Sequence, residues 1–216
     1  MKWREPLDAL AVVRSALRDA WDALVAVAPL NIGWLGLVLT VILLPPATAA
    51  LFESMHELAE GRSPGMGDFL RSVRRRFVSA WLWALWAAAG LTVVLLNVGS
   101  SVDPADPRAW LSAAVVVIGV LFSVSLLYVW PFMFLQADAN LARAIGNSIL
   151  TVLAAPLFAI TIAVLLALMV SIGAVLIAPL AIVVPGLLGL VASHAVTDRL
   201  RAFGKLPPRP RLEEGG

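Results

Sequence analysis

LPPATAALFESMHELAEGRSPGMGDFLRSVRRRF, residues 44–77, is the one long polar interruption in an otherwise oily chain. Pro45-Pro46 cannot lie inside a regular helix but suits the first turn of a new one. Beyond it Leu51, Phe52, Met55, Leu58 and Ala59 fall on one helical face, and Glu53, His56, Glu57 and Glu60 on the opposite face. Gly61 is placed to end that helix, Ser63-Pro64-Gly65-Met66-Gly67 has turn composition, and Asp68 can cap a second helix. There Phe69, Leu70, Val73 and Phe77 point one way while Arg71, Arg74, Arg75 and Arg76 crowd elsewhere. The sequence then runs unbroken into apolar residues. It reads as an amphipathic helical elbow, residues 45–77, lying on a membrane surface and feeding a transmembrane helix.

The rest of the chain agrees with a membrane setting. Its 216 residues are 61% hydrophobic and 14% charged, with mean hydropathy +0.92. Soluble domains hold about 45–50% apolar and about 25% charged residues. An all-α polytopic transmembrane helix bundle, forming one membrane domain, is the expectation. Net charge is only +2, and the pI of 9.7 reflects arginine clusters rather than a nucleic-acid-binding surface. The chain has no cysteine, which excludes disulfides, thiol chemistry and Cys-based metal sites.

Upstream, residues 1–22 carry both signs of charge, and Trp3, Leu7, Leu10, Val13, Leu17, Trp21 and Leu24 recur at three- and four-residue steps. This predicts an interfacial amphipathic helix. A cleaved signal peptide ending at Ala47-Thr48-Ala49 is the rival, disfavoured by Glu5, Asp8, Asp19 and Asp22 in its leading region. Residues 23–197 form the bundle. Its first span, 23–44, has about 22 residues at about 1.5 Å each, enough for the roughly 30 Å hydrocarbon core. Further spans are expected over 78–97, 110–135, 149–171 and 174–196, about five in all. From Ala144 to Thr197 there is no Asp, Glu, Lys or Arg, hence an apolar hairpin turning between Ser171 and Pro185. Close helix packing is expected along Ala80, Ala84, Ala88 and Thr92, along Gly119 and Ser123, and along Ala159, Ala163, Ala167 and Ser171. The tail, 198–216, is basic, then proline-rich, and expected to be partly disordered.

Sidedness follows from Lys and Arg. With five spans the elbow and tail share the more basic face, which the positive-inside bias makes cytoplasmic and which leaves the N-terminus outside. If residues 23–52 instead form a re-entrant hairpin broken at Pro45-Pro46, the N-terminal helix becomes cytoplasmic too, and the charge asymmetry is greater still. The length of the 23–44 run favours a true span.

Asn31 and Trp34, then Pro46-Ala47-Thr48-Ala49-Ala50-Leu51, then an amphipathic helix closed by Gly61 and a basic helix holding Phe69 and Phe77, resemble the YesL-like bacterial integral membrane proteins of unknown function. Tyr128-Val129-Trp130-Pro131-Phe132 and Asn147 extend the likeness, while the doubled proline and Arg74-Arg75-Arg76 depart from it. The resemblance marks Asn31, Trp34, Pro46 and Thr48 as motif residues. It implies a multi-pass protein of the bacterial cytoplasmic membrane with an accessory role near carbohydrate uptake or utilisation, and it brings no catalytic residues.

Candidate chemistry is sparse. Glu53 and His56 make an E-x-x-H pair, but a di-iron site needs a second such helix, so a solvated acidic face is expected and no metal or cofactor. His194, beside Asp198 and Arg199, reads as an interfacial polar residue hydrogen-bonded to a neighbouring helix. Arg71, Arg74, Arg75 and Arg76 can meet anionic headgroups of the bilayer at about 1 kcal/mol each, or a partner. No charge lies centrally in a proposed span, and no nucleotide loop or plausible Ser-His-Asp set occurs. These features point to a non-enzymatic accessory or scaffold protein contacting transporter subunits, with a small transporter or channel for a neutral solute as the alternative.

Overall fold

Within the segment 44–77, residues 45–56 are buried at the middle of the protein, Thr48 partly, while most of 60–77 stay exposed. A computed structural model describes residues 5–99, 109–175 and 184–207, and every regular element among them is an α-helix. These are α1 (Glu5–Asp22), α2 (Leu24–Val38), α3 (Leu44–Ala59), α4 (Met66–Arg75), α5 (Phe77–Gly99), α6 (Ala109–Leu135), α7 (Leu141–Ala154), α8 (Pro156–Val175) and α9 (Val184–Ala202). Pro45 and Pro46 occupy the first turn of α3, as their missing N–H groups require. Gly61, at φ +80°, ends it, with the Arg62 N–H reaching back to the Glu57 carbonyl at 2.9 Å. Asp68 lies one turn inside α4, where it accepts the N–H of the capping residue Gly65 at 3.4 Å. α3 packs against α2, α4, α5, α6 and α9, and Leu51 and Met55 are fully buried there.

Two helices are long and apolar enough to cross a membrane, within Phe77–Asn97 and Ala113–Leu135, matching the spans expected at 78–97 and 110–135. Counting each sharply bent helix pair as one span raises the number to four among the described residues. The expected span at 23–44 is not one helix. α2 ends after 15 residues, about 22 Å at ~1.5 Å per residue, short of the ~30 Å needed. The break at 39–43 has a local cause: the Thr40 hydroxyl takes the Leu37 carbonyl at 2.7 Å and accepts the Leu43 N–H at 3.3 Å, and Val41 adopts φ 57°. The Trp81 indole of α5 satisfies the freed Ile42 carbonyl at 3.2 Å. The hairpin alternative thus has its turn before, not at, Pro45-Pro46. α2 and α3 fold back on each other, joined by Trp34 Nε1 donating to Thr48 Oγ1 at 3.1 Å.

The span expected at 149–171 is also broken. Pro156 starts α8 and holds Ala155 out of the helical region (φ −137°, ψ 66°), so α7 and α8 meet at 102°. Of the span at 174–196, residues 184–196 lie in α9, while 176–183, where the hairpin turn was expected, and the tail beyond 207 lie outside the described residues. On α5 the packed line is Ala80, Trp83, Ala87 and Gly90, since Ala88 and Thr92 are exposed. On α8 Ala159 is buried but Ala167 and Ser171 are exposed.

α1 buries Ala9, Val12, Val13, Ala16 and Ala20 against α8 and α9. Leu10, Leu17 and Trp21, from the apolar stripe expected to meet the membrane interface, are 46–77% exposed. Asp8 of α1 bonds Arg199 at 3.1 Å and Asp19 bonds His194 at 2.7 Å. Eleven residues of α1, about 16 Å, thus meet five of α9, about 7 Å, at ~1.5 Å per residue. α1 therefore lies across the C-terminal half of α9, sharing its end of the bundle, and turns through 92° into α2. The re-entrant arrangement requires this placement, and the five-span topology does not.

Glycines let α9 approach the hairpin. The Asn31 side chain accepts the Gly186 N–H at 2.8 Å and donates to the Val27 carbonyl at 2.9 Å. A Cβ on Gly186 would meet the Asn31 amide at 2.5 Å. Gly186→Ala should therefore cost about 1–3 kcal/mol through overpacking, read as a lower melting temperature in detergent micelles. Gly36→Ala, whose added Cβ meets nothing within 4 Å, should not.

Candidate functional site

The elbow's acidic face is not solvated as expected. α4 returns over α3 and places Ser72, Arg75 and Arg76 around Glu53, which is 9% exposed. The Ser72 hydroxyl donates to Glu53 Oε2, Arg75 to Oε1 at 2.7 Å, and Arg76 to Oε1 at 2.9 Å and Oε2 at 3.3 Å. Burial alone would raise this carboxyl, but the hydrogen bonds from Arg76, Ser72 and Arg75 outweigh it and hold its pKa at about 2. The Arg76 guanidinium also lies 5.5 Å from the centre of the Phe134 ring of α6, and the His56 ring lies 5.5 Å from the same phenyl. The four arginines singled out in the sequence therefore divide. Arg75 and Arg76 are both bound to Glu53, Arg76 largely buried and Arg75 58% exposed, Arg71 pairs with Asp68 at 2.9 Å while 74% exposed, and Arg74 faces outward. The sequence pattern put Glu53 on a face of its own, but could not say that the next helix would cover that face.

One turn further along α3, a cavity of about 930 Å³ opens between α1, α3, α9 and the segment after α9. His56 and His194 both line it, although 138 positions separate them. α1 contributes Arg18, Asp19 and Asp22, and the α3 side contributes Glu60 and Arg62. His194 holds the hydrogen bond to a neighbouring helix that was expected of it, with Asp19 as partner. His56 is 5% exposed, its Nε2 stands 3.5 Å from Glu60 and its Nδ1 is buried without a hydrogen-bond partner. Burial holds its pKa below the ordinary 6.5 despite the opposing pull of Glu60. Glu57 is shifted upward, chiefly by burial. No group of three His, Cys, Asp or Glu side chains among the described residues could hold a metal ion.

The motif residues lie on the two arms of the α2–α3 hairpin: Pro46 is in the first turn of α3, Thr48 receives Trp34, and Asn31 bonds the first turn of α9. All four lie in a stretch that can be compared with known proteins. Residues 27–98 match a family described as "Protein of unknown function, DUF624". The matched segment runs from α2 through α5 and contains the Glu53 cluster as well as the α2–α3 hairpin. No curated protein and no solved structure matches the chain.

Removing either partner of the buried pair strands the other. Glu53→Gln and Arg76→Ala should each cost about 3–5 kcal/mol, whereas Arg74→Ala should stay within about 0.5 kcal/mol of wild type, all read by thermal unfolding in detergent. Because the folded pKa of Glu53 lies below its ordinary 4.5, its contribution is complete above pH 4.5 and lost as pH falls toward about 2. The stability difference between wild type and Glu53→Gln should therefore shrink across that window.

Proposed function

We propose that the protein is a non-enzymatic accessory component of the bacterial cytoplasmic membrane that docks transporter subunits serving carbohydrate uptake or utilisation. The observation that carries this reading is the fixed elbow: Glu53, Arg75 and Arg76 tie α4 rigidly to the bundle, while Arg71 and Arg74 stay outward on its free face. Met66 at 37%, Leu70 at 50% and Phe77 at 38% exposure flank them. A basic edge beside exposed apolar side chains suits the headgroup layer, with anionic lipids and a membrane-embedded partner both in reach. The carbohydrate connection draws on the YesL-like resemblance alone. On this reading the elbow, α1 and the C-terminal end of α9 lie in the cytoplasm, in keeping with the re-entrant topology and its stronger positive-inside bias.

A small transporter for a neutral solute is the second reading, favoured by the polar cavity at one end of the bundle. Against it, the interior is filled by Tyr128, Trp130, Leu51, Met55 and Ile162, each fully buried.

Two measurements test the proposal. Carbohydrate-transporter subunits identified after purification from native membranes should accompany the wild type and be lost from Arg71→Glu/Arg74→Glu, a variant with unchanged melting temperature. Retention by the variant, or no such subunit with either, overturns the docking role. In intact cells Ser15→Cys and Ser63→Cys should both resist an impermeant maleimide and react after lysis; labelling of Ser15→Cys from outside would restore the five-span topology.

A further inference from the structure

We infer that the groove between α6, α7 and the end of α9 holds one acidic phospholipid of the cytoplasmic leaflet, its phosphate at Lys205 and an acyl chain laid along α7. The groove has a volume of about 490 Å³ and is lined by Phe132 of α6, by Asn147, Leu150 and Ala154 of α7, and by Leu200 and Lys205 at the end of α9. Its polarity is uneven. α7 leaves the turn at 136–140 and runs back along α6, tied to it where the Ser148 hydroxyl donates to the Ser125 carbonyl. Asn147 is therefore nearer that turn, and Leu150 and Ala154 lie successively further along α7, beside the part of α6 that is apolar enough to cross the membrane. Leu150 is 66% exposed, as suits a side chain that meets lipid rather than protein.

Lys205 is the one charged side chain among the described residues that line the groove, and no acid accompanies it. Among the described residues neither its ammonium nor the side-chain amide of Asn147 has a hydrogen-bonding or ionic partner. The helix end holds the cation in place. Gly204, at φ +69°, donates its N–H to the Arg201 carbonyl at 2.9 Å, and the Lys205 N–H reaches the Leu200 carbonyl at 2.8 Å. This double closure, which needs the left-handed conformation that glycine adopts freely, brings Lys205 back beside Leu200. Size and charge together select the occupant. A partner helix, about 10–12 Å across, exceeds the groove's volume within two turns, whereas a single acyl chain is one methylene wide. A soluble anion would leave the apolar length along Leu150 and Ala154 unused. A lipid uses both ends, and basic pockets between membrane helices on the cytoplasmic side take anionic headgroups in this way.

The inference uses the cytoplasmic placement of the α9 end but not the docking role, since Arg71 and Arg74 take no part in the groove. Native mass spectrometry of the full chain in detergent, titrated with phosphatidylglycerol or with phosphatidylcholine of the same acyl chains, tests it. The wild type should show one site that takes phosphatidylglycerol about fivefold more tightly than phosphatidylcholine, and excess inorganic phosphate should not displace the lipid. Lys205→Gln, at an exposed position, should abolish that preference by weakening phosphatidylglycerol about fivefold. Leu150→Trp, which narrows the groove from an exposed position, should weaken both lipids, and Arg71→Gln/Arg74→Gln should leave the site unchanged. Equal affinity for the two lipids, displacement by phosphate, undiminished phosphatidylglycerol binding by Lys205→Gln or Leu150→Trp, or loss of the site in the double arginine variant would overturn the assignment.

Discussion

A carboxylate buried beside the middle of the bundle governs this fold. Removing Glu53 from water costs several kcal/mol unless its oxygens are fully engaged. Here two guanidiniums and a hydroxyl engage them. Because Ser72 and Arg75 lie on α4 and Arg76 caps its C-terminal end, meeting that requirement fixes where the second arm of the elbow must lie. It also brings Phe134 of α6 against Arg76 and His56, so one ion cluster locks three helices together. The outward arginines can act as a fixed surface because the inward ones are occupied.

The second constraint is the bilayer's intolerance of unpaired backbone groups. Among the described residues the chain breaks helical regularity at two apolar places, 39–43 and Ala155, and polar groups near each are bonded from nearby. At 39–43 the Thr40 hydroxyl and the Trp81 indole bond the liberated carbonyls of Leu37 and Ile42. Between α7 and α8 the proline supplies a residue with no N–H to satisfy. Thr151 and Ser148 send their hydroxyls to the carbonyls of Asn147 and of Ser125 on α6. The breaks thus convert runs long enough to span into shorter, angled helices that embrace α3 and α9.

Hydropathy made α5 and α6 legible, since an unbroken apolar run flanked by tryptophans leaves little choice of structure. It failed where one side chain outweighs composition. Thr40 competes for the backbone of an otherwise apolar run, and Pro156 stands inside the stretch 149–171, where its effect on Ala155 could have been read in advance. The elbow's helix ends were legible from Pro45-Pro46 and Gly61, because those residues act locally. What covers Glu53 and joins His56 to His194 was not, because both depend on tertiary return of the chain rather than on any spacing. Asn31, Trp34 and Thr48 were marked by resemblance, and only the packing of α2 against α3 and α9 shows why they belong together.

The bond between Asn31 and Gly186 joins positions 155 residues apart, and that between Asp8 and Arg199 spans 191. The helices that leave the ribosome first must therefore wait for the last to be made before their polar groups find partners. Until then the amide of Asn31 and the carboxylate of Asp8 have to be sheltered by water, by headgroups or by the insertion machinery. Closure of this bundle is accordingly a late, post-synthetic event, and the earliest part of the chain is the last to be secured.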